Sequence, residues 1–399
     1  MDLVTRLGPW SLGPGPLHRK LADALQAAIA RGDLAPGSLL PAERSLARSL
    51  AVSRSTVVSA YDRLRGDGWI ESRQGSGTRV RWAEAVPEGR RIPTGSGDVI
   101  FRRLILGPSG VEGSSGPLGG TPGPGGIVSL AAAILPGAEA VTDAVASFSR
   151  EELSDLVTTS GYVPLGLLAL RREIAALHTR SGLPTNERQV LITTGAQQAI
   201  SLAAALLARP GDRVLVENPS FSGTLDALRT AGAHPLGVPL DEEGADVEGF
   251  SRAAAESSPA ALYLMPSYHN PAGIVLSEAR RRRLARLSRE QGLPVIEDNA
   301  LEYVRLDAAP PPPAVAAFAP DAPILTVGSL SKVLWAGLRV GWVRGSEEMI
   351  GRLVHGKVVH DLGSAVLPQA VAARLLPRLE ELREERRHRL VGFVDRAGA

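Results

Sequence analysis

Cysteine is absent from the 399 residues. That excludes disulfides and thiolate metal sites, and it suits a reducing cytosol without demanding one. Long apolar runs are also missing. None approaches the roughly 20 residues that cross a bilayer, and the stretch from Met1 to Leu17 is broken by Gly and Pro where a signal peptide would be continuously apolar. A soluble, cytoplasmic chain without membrane contact is expected. Seven histidines are scattered without metal-ligand spacing, so no metal site is expected. Lysine is scarce: only Lys20, Lys332 and Lys357 occur among 44 Lys and Arg. Lysine chemistry therefore has three candidates. The formal net charge of +2 gives no global attraction to polyanions, so any nucleic-acid surface must be local.

What is present is apolar material for a large core, 44% of residues, over a length that suggests two or three domains. Residues 15–81 carry short helical patterns and few prolines. Residues 82–126 are rich in Gly, Pro and Ser and end in GPSGVEGSSGPLGGTPGPGG. Such a segment buries too little apolar surface to offset its ordering entropy, so a flexible tether is expected. No strand precedes its glycines and no Gly-Lys-Ser/Thr follows, which excludes a phosphate loop. From residue 127 to 399 short β-like runs (QVLIT, RVLVE, AALYLM, PVIED, PILTVG) alternate with helix-length segments. That alternation predicts a mostly parallel α/β sheet.

Within the first region, Leu17, Leu21, Leu25 and Ile29 recur every four residues and predict a helix, with Gly32 as its C-terminal cap. Pro41 is expected to open a second helix, PAERSLARSL. Ala51, Val52 and Ser53 make a tight turn, and Ser53 caps a third helix, RSTVVSAYDRLRGDG. Two helices so joined form a helix-turn-helix. WIESRQGSGTRV then reads as two strands around Gly75 and Gly77, a wing. Arg54, Ser55 and Thr56 fall in the first turn of the third helix, the part that meets base edges in this motif. Arg44, on the helix before, is placed for a phosphate contact. Residues 1–80 hold eleven Arg or Lys against seven Asp or Glu, a local basic excess. An ordinary small helical domain with solvated charges remains the alternative on these grounds.

The segment Leu17–Val80, with LPAER, VSRSTV, YDRL and a GxG wing in order, resembles the GntR-type winged helix. The resemblance implies contacts to a double-stranded DNA operator from Arg44, Ser53, Arg54, Ser55, Thr56 and the wing residue Gly75.

In the last region Lys332 follows the β-like run ILTVGSL, where a lysine can form a Schiff base with a carbonyl cofactor. Ser329, Ser331 and Arg339 stand nearby with groups suited to a phosphate. Asp298 ends a buried-looking strand, the place where ligands of open α/β sheets bind, and an acid there can pair with a pyridinium nitrogen. In ITTGAQQAI a strand gives way to a helix at Ala196–Gln197, and a helix N-terminus is an anion site. Asn270 in SYHNPAG is placed to hydrogen-bond a phenolic oxygen, and Phe221 in VENPSFSG to stack on a ring. Taken singly, each has a plain alternative: a surface lysine, a capping aspartate, a Gly turn, an Asn-Pro turn or a core phenylalanine.

Their order is the informative part. From about Val128 to Phe393 the motifs GYVPLG, TTGAQQ, ENPSF, HNPAG, EDN and SLSKVLWAGLRVGW resemble fold-type I aminotransferases. The resemblance implies pyridoxal 5'-phosphate (PLP) as cofactor. Lys332 would be its internal aldimine lysine, and Asp298 the partner of the ring nitrogen, the two catalytic positions. Asn270 would sit at the phenolic oxygen, with Ala196, Gln197, Ser329, Ser331 and Arg339 at the phosphate. Tyr162 would reach the phosphate across a homodimer interface. A GntR-type head on such a body is the architecture of MocR-type regulators. The expected fold is thus α/β: a winged helix-turn-helix followed by a fold-type I, mostly parallel sheet domain.

Two departures from the family pattern stand out. Asn299, Ala300 and Leu301 occupy the places after Asp298 where relatives carry a tyrosine, and Tyr303 lies further on. The chain also stops after PRLEELREERRHRLVGFVDRAGA, so the C-terminal small domain and its carboxylate-gripping arginine are expected to be incomplete, and sustained transamination to be negligible. The leading expectation is a regulator that senses a small amine or amino acid through external aldimine formation. The alternatives are a working aminotransferase with an accessory DNA-binding domain, and a DNA-binding protein whose body is a PLP-free dimerisation scaffold.

Overall fold

A computed structural model describes residues 7, 10–11, 15–30, 34, 38–66, 69–73, 77–80, 136–305 and 309–398. Gly32, Gly75 and the expected tether, 82–126, lie outside them. The chain divides into two compact units, Met1–Pro93 and Thr94–Ala399.

In the first unit, α1 (Leu17–Ala30), α2 (Glu43–Ser49) and α3 (Arg54–Gly66) pack on a three-stranded antiparallel sheet of β1 (Leu39–Leu40), β2 (Ile70–Arg73) and β3 (Gly77–Val80), ordered β1-β3-β2. The core joins Leu21, Leu25 and Ala28 of α1 to Val57, Ala60, Tyr61 and Leu64 of α3, with Ile70 and Val80 from the wing strands. The helix expected from Leu17, Leu21, Leu25 and Ile29 is present as α1, but of the four only Leu21 and Leu25 are fully buried. Leu17 is exposed and Ile29 half-buried, while Ala28 is buried. Four residues advance a helix by about 40° more than one turn, so a stripe built only of such steps drifts off the core, whereas 21, 25 and 28 stay on one face. Pro41 also departs from its expected place. It precedes the helix rather than opening it, because Ala42 is the N-cap of α2, and the Pro41 carbonyl instead accepts the buried Tyr61 hydroxyl at 2.9 Å.

In the second unit an eight-stranded sheet runs β4 (Val190–Thr193), β11 (Gly341–Arg344), β10 (Ile324–Ser329), β9 (Val295–Asp298), β8 (Ala261–Leu264), β5 (Arg213–Asn218), β6 (His234–Asp241), β7 (Gly244–Ala245). Its centre, from β10 to β6, is parallel; β11 and β7 run against their neighbours. Strand alternation divides the core, with Ile296 on one face and Val295 on the other. On the first face lie α7 (Ala196–Leu207), α8 (Ser222–Thr230) and α11 (Glu347–Asp361); on the second lie α9 (Val247–Ser257) and α10 (Glu278–Gln291). A third cluster joins Trp342 and Leu330 to α4 (Glu139–Ala146), α6 (Leu168–Arg180) and α12 (Val366–Leu375). The helices α5 (Arg150–Thr158) and α13 (Leu379–Gly398) complete the unit. No described helix is long and apolar enough to cross a membrane.

Candidate cofactor and DNA sites

The carboxyl ends of β4, β5, β8, β9 and β10 point to one edge of the sheet, and Ala196, Phe221, Asp298 and Ser329 lie at or just beyond those ends. At the end of β4, Gly195 takes φ +82° as N-cap of α7, and no side chain caps this helix. The first backbone N–H groups of α7, at Ala196 and Gln197, are therefore open to an anion. Arg339 donates to the Thr194 carbonyl at 2.6 Å, and a Cβ added at Gly195 would lie 2.7 Å from its Nη2. Glycine is required at position 341 as well. The backbone of Gly341 passes so close that a Cβ there would meet the Gly195 carbonyl carbon at 2.6 Å. Gly341 faces Ser329 across the ladder. The Ser329 hydroxyl donates to Ser331 Oγ at 3.0 Å and accepts the Ser331 N–H at 3.2 Å. Ala196, Gln197, Ser329, Ser331 and Arg339 thus belong to one neighbourhood of amides, hydroxyls and a guanidinium.

Lys332 follows directly. Burial holds its ammonium below the ordinary lysine range, which favours the neutral amine a Schiff base needs. Its loop is fixed from behind by Arg386 of α13, whose buried guanidinium donates to the carbonyls of Val333 at 3.1 Å and Leu334 at 2.9 Å.

Asp298 is buried. Its Oδ2 accepts the Tyr263 hydroxyl at 2.7 Å and its Oδ1 the Ala300 N–H at 2.9 Å. Burial pushes the carboxyl above the usual range, while those two donors pull it back. Tyr263 is raised well above a normal phenol by burial and by the adjacent Asp298, so it keeps its proton and donates it. Phe221 is the N-cap residue of α8, half-buried. A Cβ at Gly223 would meet both its ring at 2.6 Å and Gln197 Oε1 at 2.4 Å, so that glycine lets ring and amide converge.

Asn270 is exposed, on a turn anchored by buried groups. Arg281, wholly buried, donates to Pro266 O at 2.6 Å and Ser267 Oγ at 3.1 Å. Glu217 accepts the Met265 N–H at 2.6 Å, and His269 turns Nε2 toward it at 3.4 Å. Tyr162 is 68% exposed and makes no side-chain bond to the other candidates within one chain. Tyr303 does not take the place of the missing tyrosine: its ring packs against Trp342, centroids 6.2 Å apart, inside the core.

The residues present fit PLP. An uncapped helix N-terminus beside a guanidinium and two hydroxyls suits a phosphate, a buried carboxyl suits a pyridinium nitrogen, and a lysine of lowered basicity follows Ser331 directly in sequence. Tyr263, Gly341, Arg281 and Arg386 escaped the sequence reading. Only Gly341 had a local signal, a glycine opening a strand.

In the head, Ser53 Oγ accepts the Thr56 N–H at 3.1 Å and lies 2.9 Å from Ser55 Oγ and 2.8 Å from Thr56 Oγ1. Arg54 and Arg44 are exposed at adjoining helix starts, and Arg54 Nη2 pairs with Glu43 Oε2 at 3.2 Å, which holds its guanidinium across the helix-turn-helix. Among the described residues no cluster of His, Asp and Glu suits a metal ion.

Comparison with known proteins agrees with both units. Residues 126–391 match the family "Aminotransferase class I and II", and residues 17–80 match "Bacterial regulatory proteins, gntR family". The uncharacterized HTH-type transcriptional regulator YdfD of Bacillus subtilis is 32% identical over 90% of this chain and 73% of its own length. MocR of Rhizobium meliloti is 27% identical over 82% of this chain and 65% of its own. Among solved structures, LysN, the alpha-aminoadipate aminotransferase of Thermus thermophilus complexed with N-(5'-phosphopyridoxyl)-L-leucine, superposes with TM-score 0.57 at 33% identity, covering 63% of each chain. The chain spans less than two thirds of the length of that enzyme. The fold and the two matches define a DNA-binding head on an aminotransferase-type body. The chain belongs to the MocR-type subfamily of GntR regulators, whose bodies are of the PLP-dependent aminotransferase fold.

Proposed function

We propose that this protein is a cytoplasmic, homodimeric transcription regulator that reads an operator through α3 and senses a small amine or amino acid through PLP held at Lys332. The observation that carries the reading is the gathering of Lys332, Asp298 and the uncapped start of α7 at one sheet edge, in a chain that also carries a winged helix-turn-helix. Bound PLP supplies an aldehyde that exchanges one primary amine for another. The chain's own residues set that exchange up. Ala196, Gln197, Ser329, Ser331 and Arg339 hold the phosphate, Asp298 with Tyr263 faces the ring nitrogen, Phe221 covers the ring, and Asn270 serves the phenolic oxygen. Burial disfavours the charge of Lys332, which lowers the cost of presenting the free amine. Tyr162, exposed, is free to reach a second copy's phosphate. An amine changes DNA binding only if it binds two conformations of the dimer with different affinity.

The test uses the full chain reconstituted with PLP. Borohydride reduction is expected to fix the cofactor on the peptide containing residue 332, and members of an amino-acid and diamine panel that shift the visible absorbance are expected to change affinity for operator duplex. An adduct on Lys20 or Lys357 would sink the assignment. Spectral shifts with no change in DNA affinity would sink the sensing role and favour the aminotransferase reading, which steady-state transamination would then measure.

A further inference from the structure

The second lysine of the body is not among the residues assigned to the cofactor above. Lys357 on α11 is 0% exposed, and its Nζ donates to Asp361 Oδ1 at 2.6 Å, one helical turn on. The same oxygen accepts the Gly363 N–H at 2.9 Å. Asp361 Oδ2 accepts Gln198 Nε2 at 3.0 Å, and Gln198 Oε1 accepts the Thr194 N–H at 2.8 Å. Thr194 is also the residue whose carbonyl receives Arg339, and its hydroxyl lies 3.3 Å from Ser364 Oγ. A chain of hydrogen bonds thus runs from a buried ammonium to the turn that opens α7.

A buried ammonium is costly unless paired and hydrogen-bonded, so Lys357 fixes Asp361 in place. Burial alone would raise the Asp361 carboxyl, but the bonds from Lys357, Gln198 and Gly363 hold it below the usual range, as a carboxylate. A charged acceptor strengthens the Gln198 bond and so orients the amide. Gln198 uses one end of that amide for Asp361 and the other for the turn. The far end of the network is also packed: a Cβ at Gly363 would lie 3.0 Å from backbone atoms of Val163.

We propose that Lys357, Asp361 and Gln198 form a brace that positions the phosphate-binding turn 194–197 without touching the cofactor. This rests on the reading that the turn holds the phosphate of PLP. Groups that orient the ligands of a metal are typically worth about 10–100-fold in its affinity, and an effect at the lower end, about tenfold, is expected here.

The experiment titrates full-length protein with PLP and, separately, with pyridoxal, which lacks the phosphate, following visible absorbance. Two variants are compared with wild type. Gln198→Met cuts the link and leaves the ion pair intact. The double variant Lys357→Met/Asp361→Asn removes both charges, so that no buried ammonium is stranded. Each is expected to raise the dissociation constant for PLP about tenfold and to leave that for pyridoxal unchanged. Unchanged PLP affinity overturns the brace, and so does an equal loss for PLP and pyridoxal, which marks general loosening. A wild type that takes up PLP no better than pyridoxal overturns the phosphate reading itself, and the brace with it.

Discussion

The indole N–H of Trp342 donates to Nε2 of His178 at 3.0 Å, joining β11 to α6 inside the body. His178 must be an acceptor there, hence neutral. Burial, with the nearby Arg344 adding to it, pushes its pKa down to about 3. The unfolded chain therefore binds a proton that the native state refuses at any pH between about 3 and the unperturbed 6.5. Stability from this group is complete above about 6.5 and is lost as pH falls, by about 1.4 kcal/mol per unit over that window. Urea unfolding at pH 7 and pH 5 is expected to show the loss. His178→Gln keeps an acceptor for Trp342 and removes the titration, so its stability should fall less between the two pH values. Equal slopes in variant and wild type would assign the acid sensitivity elsewhere.

Tyr263→Phe takes the hydroxyl from Asp298 Oδ2 and leaves a buried oxygen without its donor, a change worth about 1–3 kcal/mol. It also removes one of the two groups that oppose the raised Asp298 carboxyl. Both a lower melting temperature and weaker PLP uptake are expected. A variant with wild-type PLP affinity would show that Asp298 does not depend on this bond.

Gly341→Ala places a Cβ within 2.6–2.9 Å of the Gly195 and Ala196 backbone. Because the obstacle is backbone, β11 or the start of α7 must shift, a cost of about 1–3 kcal/mol. Thermal unfolding measures it, and PLP titration is expected to show a loss as well. Unaltered stability would mean that the two segments part easily.

For the head, Arg54→Ala is expected to weaken operator binding by about 1–3 kcal/mol and to relax preference at one base position. Arg44→Ala should weaken operator and scrambled duplexes evenly and lower the salt slope by about 1. Titrations at several salt concentrations separate them. If Arg54→Ala left affinity and preference intact, α3 would not be the reading helix.

Apolar runs located five strands in the sequence, because β4, β5, β8, β9 and β10 are buried on both faces or nearly so. The strand β6 contains Pro235 and Pro239, which local reasoning treats as breakers. It tolerates them because β7 covers only Leu240 and Asp241, leaving the rest of that side without a ladder. Ser53 was legible as a cap because capping is local. Tyr263, Arg281, Arg386 and Gln198 were not, since their partners lie 35, 15, 53 and 163 residues away. A side chain whose meaning is a distant carbonyl or carboxylate leaves no pattern in its own neighbourhood.

Lys357 has a practical consequence for chemistry performed on the protein. Of three lysine side chains, it is sealed from solvent by its own fold, and Lys20 belongs to the DNA-binding head, where it donates to the Ser11 carbonyl at 3.0 Å. The body therefore offers an amine-directed reagent a single ε-amino target, Lys332, whose basicity burial lowers. Aldehyde and activated-ester probes should label the folded body at one stoichiometric position, and denaturation should raise that count to two.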